Sequence, residues 1–260
     1  MNLWQGILLG LVQGLTEFLP VSSSGHLVLV EELTGVRTPG VFVEVALHAA
    51  TLVSVLVVYG RRLGALAVGV WRRRADDVRY ATLLVVATLP AGVVGVLLHD
   101  AVERAFDSLP FVGVAFLVTG GILWSTRRGV GERPMPNLAG AVGIGFAQAV
   151  AILPGISRSG TTVSAALWGG LSAERAAEFS FLMAVPVIGG AALLEARHAA
   201  SDAVAVGVGP LIASCAVALV TGIWAIRLLV ALLRRGRFWA FAPYCWALGA
   251  FTLAYALWHG

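Results

Sequence analysis

The sequence predicts an all-α integral membrane protein. It is polytopic, with about six transmembrane helices and two re-entrant helical hairpins arranged as inverted-topology repeats. Three observations carry this expectation. The 260-residue chain is 58% hydrophobic and 12% charged, with a mean hydropathy of +0.88, whereas a soluble domain is about 25% charged. Its apolar stretches come in lengths near the ~20 residues that cross a hydrocarbon core. Two of them are interrupted by serine-rich breaks, Leu-Pro-Val-Ser-Ser-Ser-Gly-His at 19–26 and Leu-Pro-Gly-Ile-Ser-Arg-Ser-Gly-Thr-Thr at 153–162.

Taken in order, residues 3–33 are apolar but broken, too long and too interrupted for one simple span. They read as a helix, a polar turn at membrane depth and a second helix. Spans follow at roughly 42–60, 80–98 and 110–126. Residues 138–171 repeat the broken pattern, and spans follow at roughly 177–194, 206–226 and 239–258. Polar, glycine-containing backbone is tolerated at membrane depth only when protein buries it or it lines a wet cavity. Two such breaks in corresponding places therefore point to one polar site built from both halves.

The halves align in register. Gln13 precedes Ser22 by nine residues, as Gln148 precedes Ser157, and Ser22-Ser-Ser-Gly25 matches Ser157-Arg-Ser-Gly160. Glu44 and Glu178 follow at 22 and 21 residues, while Pro20 and Pro154 differ by one position. The expected organisation is a single membrane domain, residues 1–260, with one repeat over about 1–130 and the other over about 134–260. A hairpin plus three spans is an odd count of crossings, so the second repeat enters the bilayer inverted.

Charge supports the same topology. All 18 basic residues are arginine. They cluster beside short connections: Arg61, Arg62, Arg72, Arg73, Arg74 and Arg79; then Arg127, Arg128 and Arg133; then Arg234, Arg235 and Arg237. The positive-inside rule makes these cytoplasmic and puts both termini outside. The connections near 99–107 and 195–202 fall on the outer side. The first hairpin dips in from outside and the second from the cytoplasm, so their tips meet near the midplane. The basic balance thus reports topology, not nucleic acid. Eight Trp and four Tyr suit interfacial belts. Cys215 and Cys245, in separate apolar segments, indicate no metal site, and Met-Asn-Leu-Trp-Gln lacks the positive start of a cleaved signal peptide.

The residues able to do chemistry sit in the breaks. Glu17 lies one helical turn after Gln13, on the same face, and an intramembrane carboxylate is a site hypothesis by default. It suits a divalent cation or a general base; the bland alternative is an interfacial ion pair. Ser22, Ser23 and Ser24 precede Gly25 and His26, where hydroxyls and freed N–H groups suit phosphate oxygens. One serine suits a nucleophile with His26 handling its proton; alternatively the serines only cap a helix. Arg158 is the only charged residue between Arg133 and Glu174. A guanidinium at depth needs an anion and matches phosphate with two N–H groups. Ser157, Ser159, Gly160, Thr161 and Thr162 surround it, and a helix starting there adds anion affinity. The competing explanation is a structural bridge from Arg158 to Glu17. Glu44, His48 and Glu178 read equally as interfacial pairing or catalysis, whereas His99, His198 and His259 read as loop or terminal residues, and Glu31 and Glu32 as the hairpin's headgroup end.

These motifs resemble a known family. Gln13-Gly-Leu-Thr-Glu17 with the run to His26 is similar to its (E/Q)xxxE stretch, and Pro154-Gly-Ile-Ser-Arg-Ser-Gly-Thr-Thr162 to its PGxSRSxxT motif; Glu178-Phe-Ser-Phe-Leu-Met-Ala-Val-Pro186 is also similar. The family is the undecaprenyl-diphosphate phosphatases of the BacA/UppP type, and the resemblance covers essentially the whole chain. It implies a bacterial plasma-membrane hydrolase of a diphosphate anhydride bond. Such an enzyme converts undecaprenyl diphosphate to undecaprenyl phosphate and inorganic phosphate, recycles the lipid carrier of peptidoglycan synthesis and confers bacitracin resistance. Its essential glutamate, serine and histidine fall on Glu17, Ser23 and His26, and its phosphate-binding arginine on Arg158, flanked by Ser157 and Thr162. The resemblance also implies a divalent cation, Mg²⁺ or Ca²⁺, on Glu17, and a site opening to the outer face. Gln13 occupies the first position of (E/Q)xxxE, and a neutral amide positions or hydrogen-bonds but does not act as a carboxylate base. Substrate-binding roles are expected for Gln13, Ser22, Ser24, Gly25, Ser157, Ser159, Gly160, Thr161 and Thr162. The partners implied are the polyprenyl lipid and the bilayer; a homodimer is left open.

Two other functions share these features. Inverted repeats, broken helices and a midplane polar site also describe a polyprenyl-phosphate flippase or secondary transporter, which releases no phosphate. A phosphatidic-acid-phosphatase-type enzyme would need a histidine shortly after Ser157-Arg158, and residues 159–170 contain none.

Overall fold

The computed structural model describes residues 1–34, 41–128, 131–195 and 208–259. It is all-α, with no strand among the described residues beyond an isolated bridge between Arg133 and Leu171. Helix α1 (Leu3–Phe18) starts from a capping box in which Asn2 and Gln5 satisfy each other's backbone N–H groups. Its end is set by Pro20, which drives Leu19 into an extended conformation. Helix α2 (Ser23–Thr34) then returns. The three spans expected of the first half are α3 (Val41–Trp71), α4 (Ala75–Leu97) and α6 (Leu109–Ser125). The second hairpin is α7 (Leu138–Val150) and α8 (Arg158–Trp168), followed by α9 (Ala173–Glu195), α10 (Val208–Arg234) and α11 (Ala242–His259).

Among the described residues four helices are long and apolar enough to cross a membrane, and the pair α5 (His99–Phe106) and α6, bent by 94°, makes a fifth candidate, against the six or so spans expected. Large apolar side chains such as Val85, Leu89, Val93, Val220 and Trp224 point outward, as a lipid-facing surface requires and a water-facing one penalises. The chain is a multi-pass membrane protein. Two details depart from expectation. Helix α3 has 31 residues, continuing past Arg61 and Arg62 rather than stopping near residue 60. Arg62 is one reason: it bonds Glu178 of α9 at 2.8 Å, so the helix is held by partners beyond its apolar stretch. The connection near 99–107 is a short helix, α5, not a loop. The connection expected at 195–202, with His198, lies outside the described residues, apart from Glu195.

Packing follows from small residues. Gly6, Gly10 and Gly14 make one face of α1, and a Cβ at any of them would collide with the α10 backbone at Pro210, Ser214 or Ala218. Small residues four apart let two helix backbones approach where no hydrophobic effect drives them together. Helix α7 lies on α4 in the same way, Gly145 sitting 2.7 Å from the Ala87 carbonyl as measured from an added Cβ. So α1 pairs with α10, and α7 pairs with α4, while α3 packs on α9 and α6 on α11. That is the exchange expected if the halves correspond helix for helix. Interhelical hydrogen bonds add to it: Ser54 donates to the Leu219 carbonyl at 3.0 Å, and Trp246 to that of Leu117 at 3.2 Å. The core between the hairpins holds fully buried Phe18, Phe116, Phe179, Phe181 and Met183.

Candidate active site

The two breaks meet. A Cβ on Gly25 would lie 2.9 Å from Gly155 Cα, one on Gly160 would lie 3.4 Å from Pro20 Cβ, and Ser159 Oγ donates to the Leu19 carbonyl at 3.1 Å. Each break is locally determined. In the first, Ser22 has φ 68°, a left-handed conformation that serine adopts only under constraint. Its carbonyl accepts both the His26 N–H at 3.2 Å and His26 Nδ1 at 2.7 Å. In the second, Gly155 has φ +88° and lies so close to α6 that a Cβ would meet the Val112 carbonyl at 2.7 Å. Thr119 of α6 clamps this break, donating to the Gly155 carbonyl at 2.9 Å and accepting from the Ser157 N–H at 3.2 Å. Ser157 then caps α8, accepting from the Gly160 N–H at 3.0 Å.

The charged centre lies where α1 ends and α8 begins. Arg158 Nη2 donates to Glu17 Oε1 at 2.6 Å. Ser23 Oγ donates to Glu17 Oε2 at 2.7 Å, and Gln13 Nε2 donates to the same oxygen at 3.1 Å. His48 Nε2, from α3, lies 3.8 Å from Glu17 Oε2. The Glu17 and Arg158 side chains are 6% and 15% exposed. Their pairing is thus the structural bridge weighed above, and it leaves work undone: Arg158 Nη1 and Gln13 Oε1 are buried without any partner. A buried guanidinium N–H with nothing to bond is costly unless an acceptor arrives.

His26 does not bond Ser23. Its Nδ1 faces the Ser22 carbonyl and its Nε2 lies 2.7 Å from the Tyr244 hydroxyl on α11. The physical reason is helical geometry. A histidine in the first turn of α2 reaches back to the carbonyl four residues earlier, which turns Nε2 away from its own helix.

The remaining expected residues divide. Ser22 and Ser24 hydroxyls lie 3.3 Å apart in the first break, beside Ser23 and Gly25. Ser159 bridges the two breaks and shares a hydrogen bond with Ser157 at 3.2 Å. The Thr161 hydroxyl bonds back to the Ser157 carbonyl at 2.9 Å, and that of Thr162 to the Arg158 carbonyl at 2.7 Å and to Ser180 at 2.6 Å. Those two hydroxyls therefore hold the start of α8 in place. Glu178 stands apart from the breaks, gathered by Arg62, Arg175 and Tyr80. A cavity of about 540 Å³ beside it, walled by Tyr59, Val230, Arg227 and Arg234, includes none of the break residues. Thr119 and Tyr244 join the site from outside both motifs, and His48, which the sequence leaves between interfacial pairing and catalysis, lies beside Glu17. None stands at a telling distance in sequence from Glu17 or Arg158.

A divalent cation finds limited but usable donors. No group of three or more His, Cys, Asp or Glu side chains clusters among the described residues. The oxygens at hand are one carboxylate, Glu17, and the orphaned amide oxygen of Gln13. Mg²⁺ characteristically takes one or two carboxylates and completes its shell with water and substrate phosphates, so this donor set fits a cation brought in with a phosphate ligand and does not fit an all-protein cage.

The class follows from this geometry: a multi-pass helical membrane protein whose two broken helices enclose a buried polar site. The family described as bacitracin resistance protein BacA matches residues 6–251, and the chain belongs to that family. Relatives include the undecaprenyl-diphosphatase of Desulfosudis oleivorans, 44% identical over 96% of this chain and 97% of that protein. The undecaprenyl-diphosphatase of Syntrophotalea carbinolica is 41% identical over 98% and 99%. That of Desulforapulum autotrophicum is 38% identical over 97% and 98%.

Proposed function

We propose that this chain is an undecaprenyl-diphosphate phosphatase, releasing inorganic phosphate and leaving undecaprenyl phosphate for reuse in cell-wall synthesis. Full-length similarity to proteins of that name supports the activity. The observation that carries the mechanism is the buried, unpartnered Arg158 Nη1 beside a serine hydroxyl already donating to a carboxylate.

The isoprenoid tail stays in the bilayer while the diphosphate occupies the space between the breaks. Arg158 holds Glu17 with one nitrogen and offers the other to a phosphate oxygen; the α8 N-terminus adds its partial positive charge. Ser23 Oγ attacks the terminal phosphorus, its proton passes to Glu17 Oε2, and the bond from that phosphorus to the bridging oxygen breaks, releasing undecaprenyl phosphate. Water then attacks the phosphoserine. Glu17 returns its proton to Ser23 Oγ as the phosphorus–oxygen bond opens, and His26 takes the proton from the water. Positioning and charge stabilisation supply most of the rate. Mg²⁺ or Ca²⁺, held by Glu17 and Gln13 Oε1, would neutralise diphosphate charge when bound. Both termini lie outside in this reading, and the site opens to the outer face. The Ser23–Glu17 contact sets a hydroxyl beside a base, an arrangement that hydrolysis uses and a flippase does not require.

The test is phosphate release from undecaprenyl diphosphate by purified protein, with Ser23→Ala, with and without chelator. Substrate labelled on its terminal phosphate should leave label on Ser23 after a rapid acid quench. Release requiring metal and lost in Ser23→Ala supports the scheme. A competent Ser23→Ala enzyme would sink the phosphoserine, and no release by folded, metal-supplied wild type would return the flippase.

A further inference from the structure

Among the described residues His26 meets backbone oxygen at Ser22 and Val21 and the hydroxyl of Tyr244, and their chemistry fixes which nitrogen is which. The Ser22 carbonyl 2.7 Å from Nδ1 has no hydrogen to give, so Nδ1 carries the proton. In the neutral ring Nε2 is then the sole acceptor, and the group facing it at 2.7 Å is the Tyr244 hydroxyl. Tyr244 therefore donates to Nε2. The rings also stack, 5.7 Å between centroids and 6° between planes, while Phe116 meets the imidazole edge-on at 5.4 Å. The imidazole is held from three sides, and its one lone pair points at a tyrosine 218 positions away in the chain.

We infer that His26 acts through Tyr244: any proton His26 gains at Nε2 arrives by way of the Tyr244 hydroxyl. This rests on the assignment of His26 as the proton acceptor made above. The step balances. As the hydroxyl passes its hydrogen to Nε2, the Tyr244 oxygen takes one from the attacking water, and the tyrosine ends as it began. A hydroxyl is donor and acceptor at once, so it stays bonded to the imidazole in both charge states. Tyr244 thus holds His26 in one tautomer and, by taking the proton of the reacting water, serves as a further catalytic residue. It lies on the last helix, outside both breaks and every motif in the sequence.

The experiment compares Tyr244→Phe, His26→Ala and the double variant with wild type, by phosphate release in detergent. Tyr244→Phe removes one oxygen and keeps the stacked ring. We expect kcat to fall by about 100-fold, within the range typical of lost acid–base catalysis, with KM unchanged. The double variant should be no slower than His26→Ala, because residues acting as one unit are non-additive. ¹⁵N spectra of histidine-labelled protein, with His26→Ala identifying the signal, should show His26 with Nδ1 protonated and Nε2 losing its donor in Tyr244→Phe. A folded Tyr244→Phe enzyme with wild-type kcat, beside an inactive His26→Ala, would overturn the relay and leave the function intact. An active His26→Ala enzyme would instead remove His26 from the mechanism and the relay with it. Unchanged His26 ¹⁵N signals in Tyr244→Phe would overturn the hydrogen bond itself.

Discussion

Replacing Arg158 by lysine separates the two tasks its guanidinium performs. Nη2 is committed to Glu17 Oε1 at 2.6 Å, while Nη1 is buried and free. Lysine has one nitrogen on a flexible stem and lacks the rigid fork, so it keeps the bridge or the phosphate contact, not both in place. The loss is one charge-assisted hydrogen bond, about 1.5–3 kcal/mol. At 1.36 kcal/mol per decade this is roughly a 10- to 150-fold fall in kcat/KM. Arg158→Ala loses both contacts. Its rate should drop ~10³-fold or more, as for other lost phosphate clamps. It also leaves Glu17 buried without its cation, a change that typically costs about 3–5 kcal/mol of stability. The assay is phosphate release from undecaprenyl diphosphate, run beside thermal unfolding followed by circular dichroism. The expected order in rate is wild type, then lysine, then alanine, with the alanine variant melting lowest. Wild-type turnover by Arg158→Lys would refute the two-task reasoning, and near-normal activity of Arg158→Ala would remove Arg158 from the site.

Gly25→Ala should weaken the junction of the two breaks, because the new methyl meets Gly155 Cα at 2.9 Å and Phe116 Cζ at 2.6 Å; the ring can turn aside but the backbone cannot. A loss of about 1–3 kcal/mol in stability is expected from such overpacking, together with reduced activity, and a variant that melts and works like wild type would mean the tips do not touch. Gln13→Glu adds a second carboxylate beside Glu17 Oε2, where the amide nitrogen now sits at 3.1 Å, and should lower the Mg²⁺ concentration for half-maximal phosphate release; a higher requirement would argue against a cation there. Gln148, the counterpart of Gln13, is buried with neither amide atom partnered, so Gln148→Met should raise the unfolding midpoint by relieving a penalty of about 1 kcal/mol or more. A lowered midpoint would show that something in the native protein bonds that amide.

By itself the sequence determined the helices and the breaks, because these follow from local chemistry. Apolar length dictates a span, proline and glycine dictate where α1 ends and where the second break turns, and the equal spacing of Gln13–Ser22 and Gln148–Ser157 marks corresponding hairpins. Glu17 and Arg158 in apolar surroundings each call for an opposite charge, and the bridge between them, one of the alternatives the sequence leaves open, is the one the structure shows across 141 positions. Local rules carried no further. The extra length of α3 depends on Arg62 finding Glu178, and the bend between α5 and α6 is invisible to hydropathy. Only the tertiary structure decided that Ser23 bonds Glu17 rather than His26, that Thr119 clamps the second break, that His48 stands over Glu17, and that Tyr244 closes on His26. Each depends on the rotation and depth at which one helix passes another. Interhelical packing sets those quantities through many weak contacts, and no spacing within a single helix records them.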